Sequence, residues 1–221
     1  MNLLSAVAVL VLASSSPDSA PVPPGSSSGC ATSNIETALR HLFERYKEGG
    51  PLDIIRDTGE ALSPEFITTP LKILDVPNGY ATLEGPDLIE SFEAALFKNP
   101  EGYHLVVTSS GTSASRHVVF RCNKEGLTPD NTALQFSLED EIKLYASAGL
   151  LSAKGKKGLT EQFLKDWAGP IVLLALPRKG RVITLKAGVD EPGSVYGKKL
   201  GTVEYANGKF IVHPLAKQAR P

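Results

Sequence analysis

The sequence contains few of the residues from which compact catalytic and metal sites are usually built. Its 221 residues include two cysteines, four histidines, one methionine and one tryptophan. No histidine stands two or four positions from another histidine or from a cysteine, so the spacing predicts no metal site. The full spacing of a phosphate-binding P-loop is also missing. We therefore expect no metal and no cofactor.

Long apolar runs are equally scarce. Residues 3–13 form an uncharged apolar block, and no later stretch approaches 18 apolar residues. The block is too short to cross a bilayer, which takes about 20 residues, but it has the length of the apolar region of a secretory signal. Ala13 fits a cleavage site before Ser14. The segment before the apolar block, Met1-Asn2, lacks the lysine or arginine with which a secretory signal usually begins. We predict a signal peptide at 1–13, a secreted or periplasmic protein and no transmembrane span after cleavage; the alternative is an uncleaved apolar tail.

Acidic and basic residues are unevenly distributed, although the net charge is only −1. Residues 142–221 hold fourteen lysines and arginines against five acidic residues, whereas residues 1–141 hold nine against nineteen. The basic half favours an anionic partner such as a cell-wall polymer or lipid headgroups, unless the halves face each other or are simply solvated. Nucleic acid is disfavoured as a partner, since only Trp167, Tyr196 and Tyr205 are interleaved with the basic residues.

Periodicity and turn residues predict an α+β fold with N-terminal helices, a central antiparallel sheet and a C-terminal β-rich section. The first helix is expected from Ser33, which has capping-box spacing with Glu36, to Tyr46. Further helices are expected at residues 52–62, 87–98, 137–150 and 160–167. Strands are expected at residues 71–76, 80–83, 103–108, 115–122, 171–176, 181–187, 200–205 and 209–213, with a loop at 127–134 and a hairpin turn at Asn207-Gly208.

The composition also suggests domain boundaries. A Ser/Pro/Gly linker at residues 14–32 follows the predicted signal. An acidic α+β domain is expected at 33–126 and a basic α+β section at 127–221, either as a separate unit or as one domain with the preceding part.

The two cysteines leave two structural interpretations open. In an oxidising compartment Cys30 and Cys122 are expected to form a disulfide, closing a loop worth on the order of 4 kcal/mol. Alternation along residues 115–122 places Cys122 on the inward face of its strand. The other interpretation is a pair of inert thiols, one on the linker and one in the core.

A third interpretation is catalytic. Cys30 just before a helix, followed by His104 or His117 on a strand, is similar to the order of residues in papain-like cysteine peptidases. That order implies a secreted thiol hydrolase in which histidine takes the proton of the cysteine. The two histidines are expected to be neighbours across a hairpin, either lining a cleft or lying on an open sheet face.

Basic residues cluster at two predicted loops. Lys154, Lys156 and Lys157 precede the helix that starts at Thr160, and a helix N-terminus favours anions. A second group is expected on a tight turn between two strands: Arg178, Lys179 and Arg181. Both groups are candidate anion-binding residues, and a solvated basic loop is the alternative.

Several short motifs in residues 33–122 match a known superfamily. They are Ala38-Leu39 with Phe43 and Tyr46, Gly49-Gly50, Leu52-Asp53, Ser63-Pro64-Glu65-Phe66, the predicted helix at 87–98 and the strands ending at Val118-Val119. Asn207-Gly208-Lys209-Phe210-Ile211 is similar to a terminal strand turn of the same group. On these residues the region resembles the NTF2-like (SnoaL-like) superfamily. The resemblance implies a curved sheet around a pocket for a small apolar ligand, often in non-catalytic binding proteins.

Together these features favour an exported, non-enzymatic binding module for a small ligand or an anionic envelope partner. A secreted thiol hydrolase and a structural cell-envelope protein without a ligand are the alternatives.

Overall fold

The computed structural model describes residues 34–46, 71–83, 91–110, 115–123, 126–152, 158–189 and 195–215. Within these ranges the helices are α1 (Ile35–Tyr46), α2 (Leu138–Ser147) and α3 (Glu161–Asp166), with a 3-10 helix at Val76–Asn78. The strands are β1 (Leu71–Asp75), β2 (Tyr80–Leu83), β3 (Ser91–Asn99), β4 (Gly102–Ser110), β5 (Ser115–Asn123), β6 (Gly126–Pro129), β7 (Val172–Ala175), β8 (Val182–Ala187), β9 (Lys199–Ala206) and β10 (Lys209–Pro214).

These strands form two antiparallel sheets. The first is a six-stranded meander in the order β1-β2-β3-β4-β5-β6, and the second is four-stranded in the order β10-β9-β8-β7. The prediction of antiparallel sheets accompanied by a few helices is confirmed. The predicted signal at 1–13, the linker at 14–32 and the helix at 52–62 lie outside the described residues.

The first sheet is covered on both of its faces. Leu105 and Val107 of β4 share a buried cluster with α1, whereas Val106 between them joins the cluster beneath the second sheet. This alternation is what an extended strand produces. The residues of α1 that pack on the sheet recur at intervals of three or four, as an amphipathic helix requires: Ile35, Ala38, Leu39 and Leu42.

The larger core lies between the two sheets and under α2 and α3. It joins residues of the first sheet, including Val106 and Val119, to inward-facing residues of β8 and β9, including Leu185 and Val203. The hydroxyl group of Tyr145 on α2, which is fully buried, donates a 2.7 Å hydrogen bond to the carbonyl oxygen of Ile171. The helices are thereby anchored to the second sheet.

Two polar contacts hold the end of β7 against the first sheet. Arg178 donates from Nε to the carboxylate of Asp75 at 2.7 Å, and the backbone N–H of Leu176 donates to Glu93 at 3.0 Å. Asp75 is 8% exposed, and the bond from Arg178 holds the pKa of its carboxyl below the usual value. These contacts fix how the two sheets are placed relative to each other.

The helix predicted at residues 87–98 is wrong, because residues 91–99 form β3. Phe92 and Ala94 pack toward α1, while Ala95 and Phe97 pack toward the second sheet. A strand covered on both faces is apolar throughout, so its sequence lacks the period of two that identifies a half-buried strand. The apolar spacing therefore imitated that of a helix.

Two smaller expectations also need correction. The loop predicted at 127–134 begins with strand β6, which pairs with β5 through residues such as Leu127 and Cys122. The first turn of α1 is capped by Asn34, whose side chain accepts from the N–H of Thr37 at 3.0 Å, one residue later than the predicted cap. The helix predicted to open at Ser137 is confirmed as α2, and Ser137 caps it in a capping box with Asp140.

Candidate functional site

A cleft of about 710 Å³ opens between the two sheets at one end of the molecule. Its walls come from the β3–β4 turn, from β4 and β5, from the loop after β6, and from the β9–β10 hairpin. The hairpin turn consists of Asn207 and Gly208, with φ angles of 51° and 76°. Positive φ at both central residues is the geometry that an Asn-Gly pair favours, and it brings the start of β10 to the cleft.

His104 is the most deeply buried titratable group in this wall, at 5% exposure. Its Nδ1 atom lies 2.8 Å from the hydroxyl oxygen of Tyr205, and that oxygen accepts a 3.0 Å hydrogen bond from the side-chain amide of Asn99. On the other side of the ring, Nε2 faces the carboxylate of Asp130, which can only accept, so the tautomer that suits both neighbours accepts the Tyr205 proton at Nδ1. His104 therefore carries its proton on Nε2.

Nε2 of His104 faces the carboxylate of Asp130 across 3.8 Å. At this separation the contact is longer than a standard hydrogen bond, and Asp130 is the acceptor that faces the Nε2–H group. Burial lowers the pKa of His104; the charge of Asp130 and its contact with the ring nitrogen raise it, and the charge of Arg121 lowers it. The imidazole is thus a neutral donor that points into the cleft.

Asp130 is held in place by its own loop. Its backbone N–H donates to the carbonyl oxygen of Val119 at 2.7 Å. One carboxylate oxygen, Oδ1, accepts from the N–H and hydroxyl groups of Thr132 at 3.2 and 2.9 Å. Burial raises the pKa of Asp130, but the bonds from Thr132 and the charges of Arg121 and His104 outweigh it and keep the pKa below its usual value. The second oxygen, Oδ2, is a charged acceptor beside the imidazole.

An aromatic cluster supports the histidine from the side of the second sheet. The ring of Tyr205 lies 5.2 Å from that of Phe97 and 4.8 Å from that of Phe210, measured between centroids. His104 contacts the rings of Tyr205 and Phe210 edge to face, at 5.6 and 5.7 Å. Such packing limits the rotamers of the imidazole and fixes the direction of its Nε2–H group.

Two basic and two acidic side chains complete the lining of the cleft. Arg121 stands directly opposite His104 in the pairing of β4 with β5, and Lys209 begins β10. Glu101 on the β3–β4 turn and Asp130 carry the negative charges. Arg121 is exposed and makes no ion pair among the described residues, so its guanidinium is available to a bound anion.

Comparisons with protein-family models, with curated proteins and with solved structures found no match for this chain. The chemistry of the cleft therefore follows from its own residues, and the resemblance to the NTF2-like superfamily stays a prediction. In the part of the chain that the structure describes, no set of His, Cys, Asp or Glu side chains is grouped to hold a metal ion. No described helix combines the length and hydropathy needed to cross a bilayer.

The two histidines proposed from the sequence share a sheet face but are not neighbours. His104 pairs with Arg121, whereas His117 pairs with Thr108, four positions further along β4. The expectation that they face each other across the hairpin is therefore wrong. His117 donates from Nε2 to the carbonyl oxygen of Leu134 at 3.0 Å, and burial lowers its pKa. Only His104 reaches the cleft.

Cys122 lies on the inward face of β5, as predicted, and is 1% exposed. It is disulfide-bonded, and the described residues include no free cysteine. Its predicted partner Cys30 lies outside the described residues, so the pairing and the thiol-hydrolase hypothesis both stay predictions.

The candidate anion-binding lysines Lys154, Lys156 and Lys157 also lie outside the described residues. Arg178, Lys179 and Arg181 lie at the β7–β8 turn and do not line the cleft; Arg178 is engaged with Asp75, and the carbonyl oxygen of Arg181 accepts from the N–H of Tyr205 at 2.8 Å. The structure does not bring them to His104.

Sequence reasoning missed most of the cleft. Asn99, Asp130 and Phe210 were not proposed as site residues, and Tyr205 was noted only as an aromatic near basic residues. Tyr205 lies 101 residues from His104 along the chain, and no local pattern reports a contact of that range. The sequence feature that could have helped was the Asn207-Gly208 hairpin. It predicts that Tyr205 and Phe210, on either side of the turn, lie next to each other.

Replacing Tyr205 by phenylalanine is expected to lower the free energy of unfolding by about 1–3 kcal/mol, because the half-buried Asn99 amide and the Nδ1 atom of His104 then lose a shared partner. Urea unfolding measures the loss. Tyr196→Phe is the matched control: Tyr196 is 56% exposed, and its change should stay below about 0.5 kcal/mol. Equal effects of the two substitutions would contradict the hydrogen-bond chain.

Proposed function

We propose that this chain is an exported, non-enzymatic binding module whose small polar ligand occupies the cleft at His104. One observation carries the proposal. An imidazole at 5% exposure faces the carboxylate of Asp130 across 3.8 Å, longer than a standard hydrogen bond, in a cleft of about 710 Å³. Buried polar groups are normally paired, so a donor held this way is suited to a ligand that completes its hydrogen bonding.

The rigidity of the cleft supports the binding of a ligand. Tyr205 and the aromatic cluster fix His104, Thr132 fixes Asp130, and the two-residue turn fixes the start of β10. Prearranged donors and acceptors reduce the entropy lost when a ligand binds. A volume of several hundred Å³ with a few convergent polar groups is typical of small-molecule sites.

Export is proposed from the apolar N-terminal block and from the disulfide of Cys122. The apolar block at residues 3–13 supports a secretory signal, and a cysteine in a disulfide is usual in oxidising compartments. An anionic envelope partner remains part of the proposal through the basic C-terminal half, whose described cations on the β7–β8 turn, Lys179 and Arg181, are exposed.

The proposal is tested by thermal unfolding with a panel of small polar compounds: neutral sugars, polyols, amino acids, hydroxy acids and nucleosides. A ligand at one hundred times its Kd adds about 2.7 kcal/mol, so the Tm of the wild type is expected to rise by about 5–10 °C with at least one class.

Glu101→Trp is the blocking variant, since Glu101 is exposed and lines the cleft. It should remove the shift, while Glu139→Trp on the exposed face of α2 should preserve it. If no compound stabilises the wild type, or if Glu101→Trp responds like the wild type, the cleft is not a ligand site.

A further inference from the structure

We infer that the ligand of this cleft is a small hydroxy acid, whose hydroxyl group binds between His104 and Asp130 and whose carboxylate binds Arg121. This inference rests on the proposed function and specifies its ligand class. It goes beyond the general prediction of a small ligand, because it assigns a chemical group to each of three side chains.

The first part follows from the pairing of one donor with one acceptor. Nε2–H of His104 can only donate, and Oδ2 of Asp130 can only accept, across a separation of 3.8 Å. A group that contacts both must accept one hydrogen bond and donate another. A hydroxyl group does both with a single atom.

Other charged groups do not satisfy the same pair. An ammonium group has no lone pair for Nε2–H and would leave that buried donor without a partner. A carboxylate would place a second negative charge against Asp130, whose pKa is already held below the usual value and which therefore stays ionised near neutral pH. The hydroxyl group is the choice that pairs both atoms without a new charge.

The second part follows from the position of Arg121. Directly paired residues of an antiparallel sheet have Cβ atoms about 5 Å apart, and Arg121 is paired with His104 on the same face. Its guanidinium forms no ion pair among the described residues and offers the planar fork that matches a carboxylate. Lys209, which also lines the cleft, adds positive charge to that wall.

The negative charges of the cleft limit where the carboxylate lies. Asp130 is beside the imidazole, and Glu101 is on the β3–β4 turn. An anionic group is therefore directed away from these two residues and toward Arg121 and Lys209, while the hydroxyl group stays with Asp130. The two ends of the ligand are thus chemically distinct and fix its orientation.

Isothermal titration of the full chain with two matched pairs tests both parts. D-Galacturonate and D-galactose differ in the carboxylate, and lactate and propionate differ in the hydroxyl group. We expect each hydroxy acid to bind at least tenfold tighter than its partner. Arg121→Gln should remove the preference for galacturonate over galactose, whereas Arg45→Gln, exposed on α1 across the first sheet, should preserve it.

The possible results distinguish a failure of the inferred ligand class from a failure of the proposed binding function. Equal binding of galactose and galacturonate by the wild type, with no effect of Arg121→Gln, would overturn the carboxylate contact while a ligand site remains. Equal binding of lactate and propionate would overturn the hydroxyl contact. If all four compounds fail but another class in the thermal panel binds and is blocked by Glu101→Trp, the ligand class is wrong and the function stands.

Discussion

Removing the disulfide of Cys122 is expected to lower the free energy of unfolding by about 4 kcal/mol. The predicted partner is Cys30, the second cysteine of the sequence, and a loop of about 90 residues between them has a large closure entropy in the unfolded chain. The cross-link would join the start of the folded part to β5, whose opposite face carries Arg121 toward the cleft. Urea unfolding of Cys30→Ala and Cys122→Ala without reductant measures the loss.

The double variant makes this prediction specific. If the two cysteines pair, each single substitution removes the whole cross-link, so Cys30→Ala, Cys122→Ala and the double variant should lose nearly the same free energy. A reductant should then destabilise the wild type and have no effect on the double variant. Two titratable thiols in the folded, non-reduced protein, or a loss near zero for Cys30→Ala, would contradict the pairing.

Replacing Glu141 by glutamine is expected to stabilise the protein at alkaline pH by about 2–3 kcal/mol. Burial, with a smaller contribution from Asp140, raises the pKa of Glu141 from 4.5 to about 7. The folded state therefore binds more protons than the unfolded state between these values, and wild-type stability falls as pH rises through this window. Glutamine is uncharged throughout and does not incur this loss.

The measurement is the difference in unfolding free energy between Glu141→Gln and wild type at several pH values. It should grow from near zero at pH 4 to its maximum near pH 8. His104 and His117 act in the opposite direction, since their lowered pKa values stabilise the fold above about pH 6.5, but they are common to both proteins and cancel. Glu139→Gln, exposed on the same helix, should show a difference within about 0.5 kcal/mol at every pH.

Local signals in the sequence were enough for much of the fold. The helices expected at residues 137–150 and 160–167 correspond to α2 and α3, and the Asn207-Gly208 pair located the β9–β10 hairpin correctly. Alternation placed Cys122 inward on β5. Each of these features depends on interactions within a few residues, which the sequence records directly.

The incorrect predictions share a physical cause. Each concerns a segment whose structure depends on packing against residues distant in the sequence. Strand β3 was read as a helix because α1 covers one of its faces and the second sheet covers the other. The cleft was missed because Tyr205 and Asp130 reach His104 from distant parts of the chain. The sequence pattern of one segment does not show which other helix or strand will pack against it.

The separation of 101 residues between His104 and Tyr205 also has a consequence during biosynthesis. A nascent chain that has emerged as far as Asp130 already contains the imidazole and the carboxylate, but the imidazole still lacks the phenol that orients it. Contacts between such distant segments are costly in loop entropy and form slowly. The proposed ligand binding is therefore expected only after translation has passed the β9–β10 hairpin, and a ribosome-bound intermediate arrested before Phe210 should not retain the ligand.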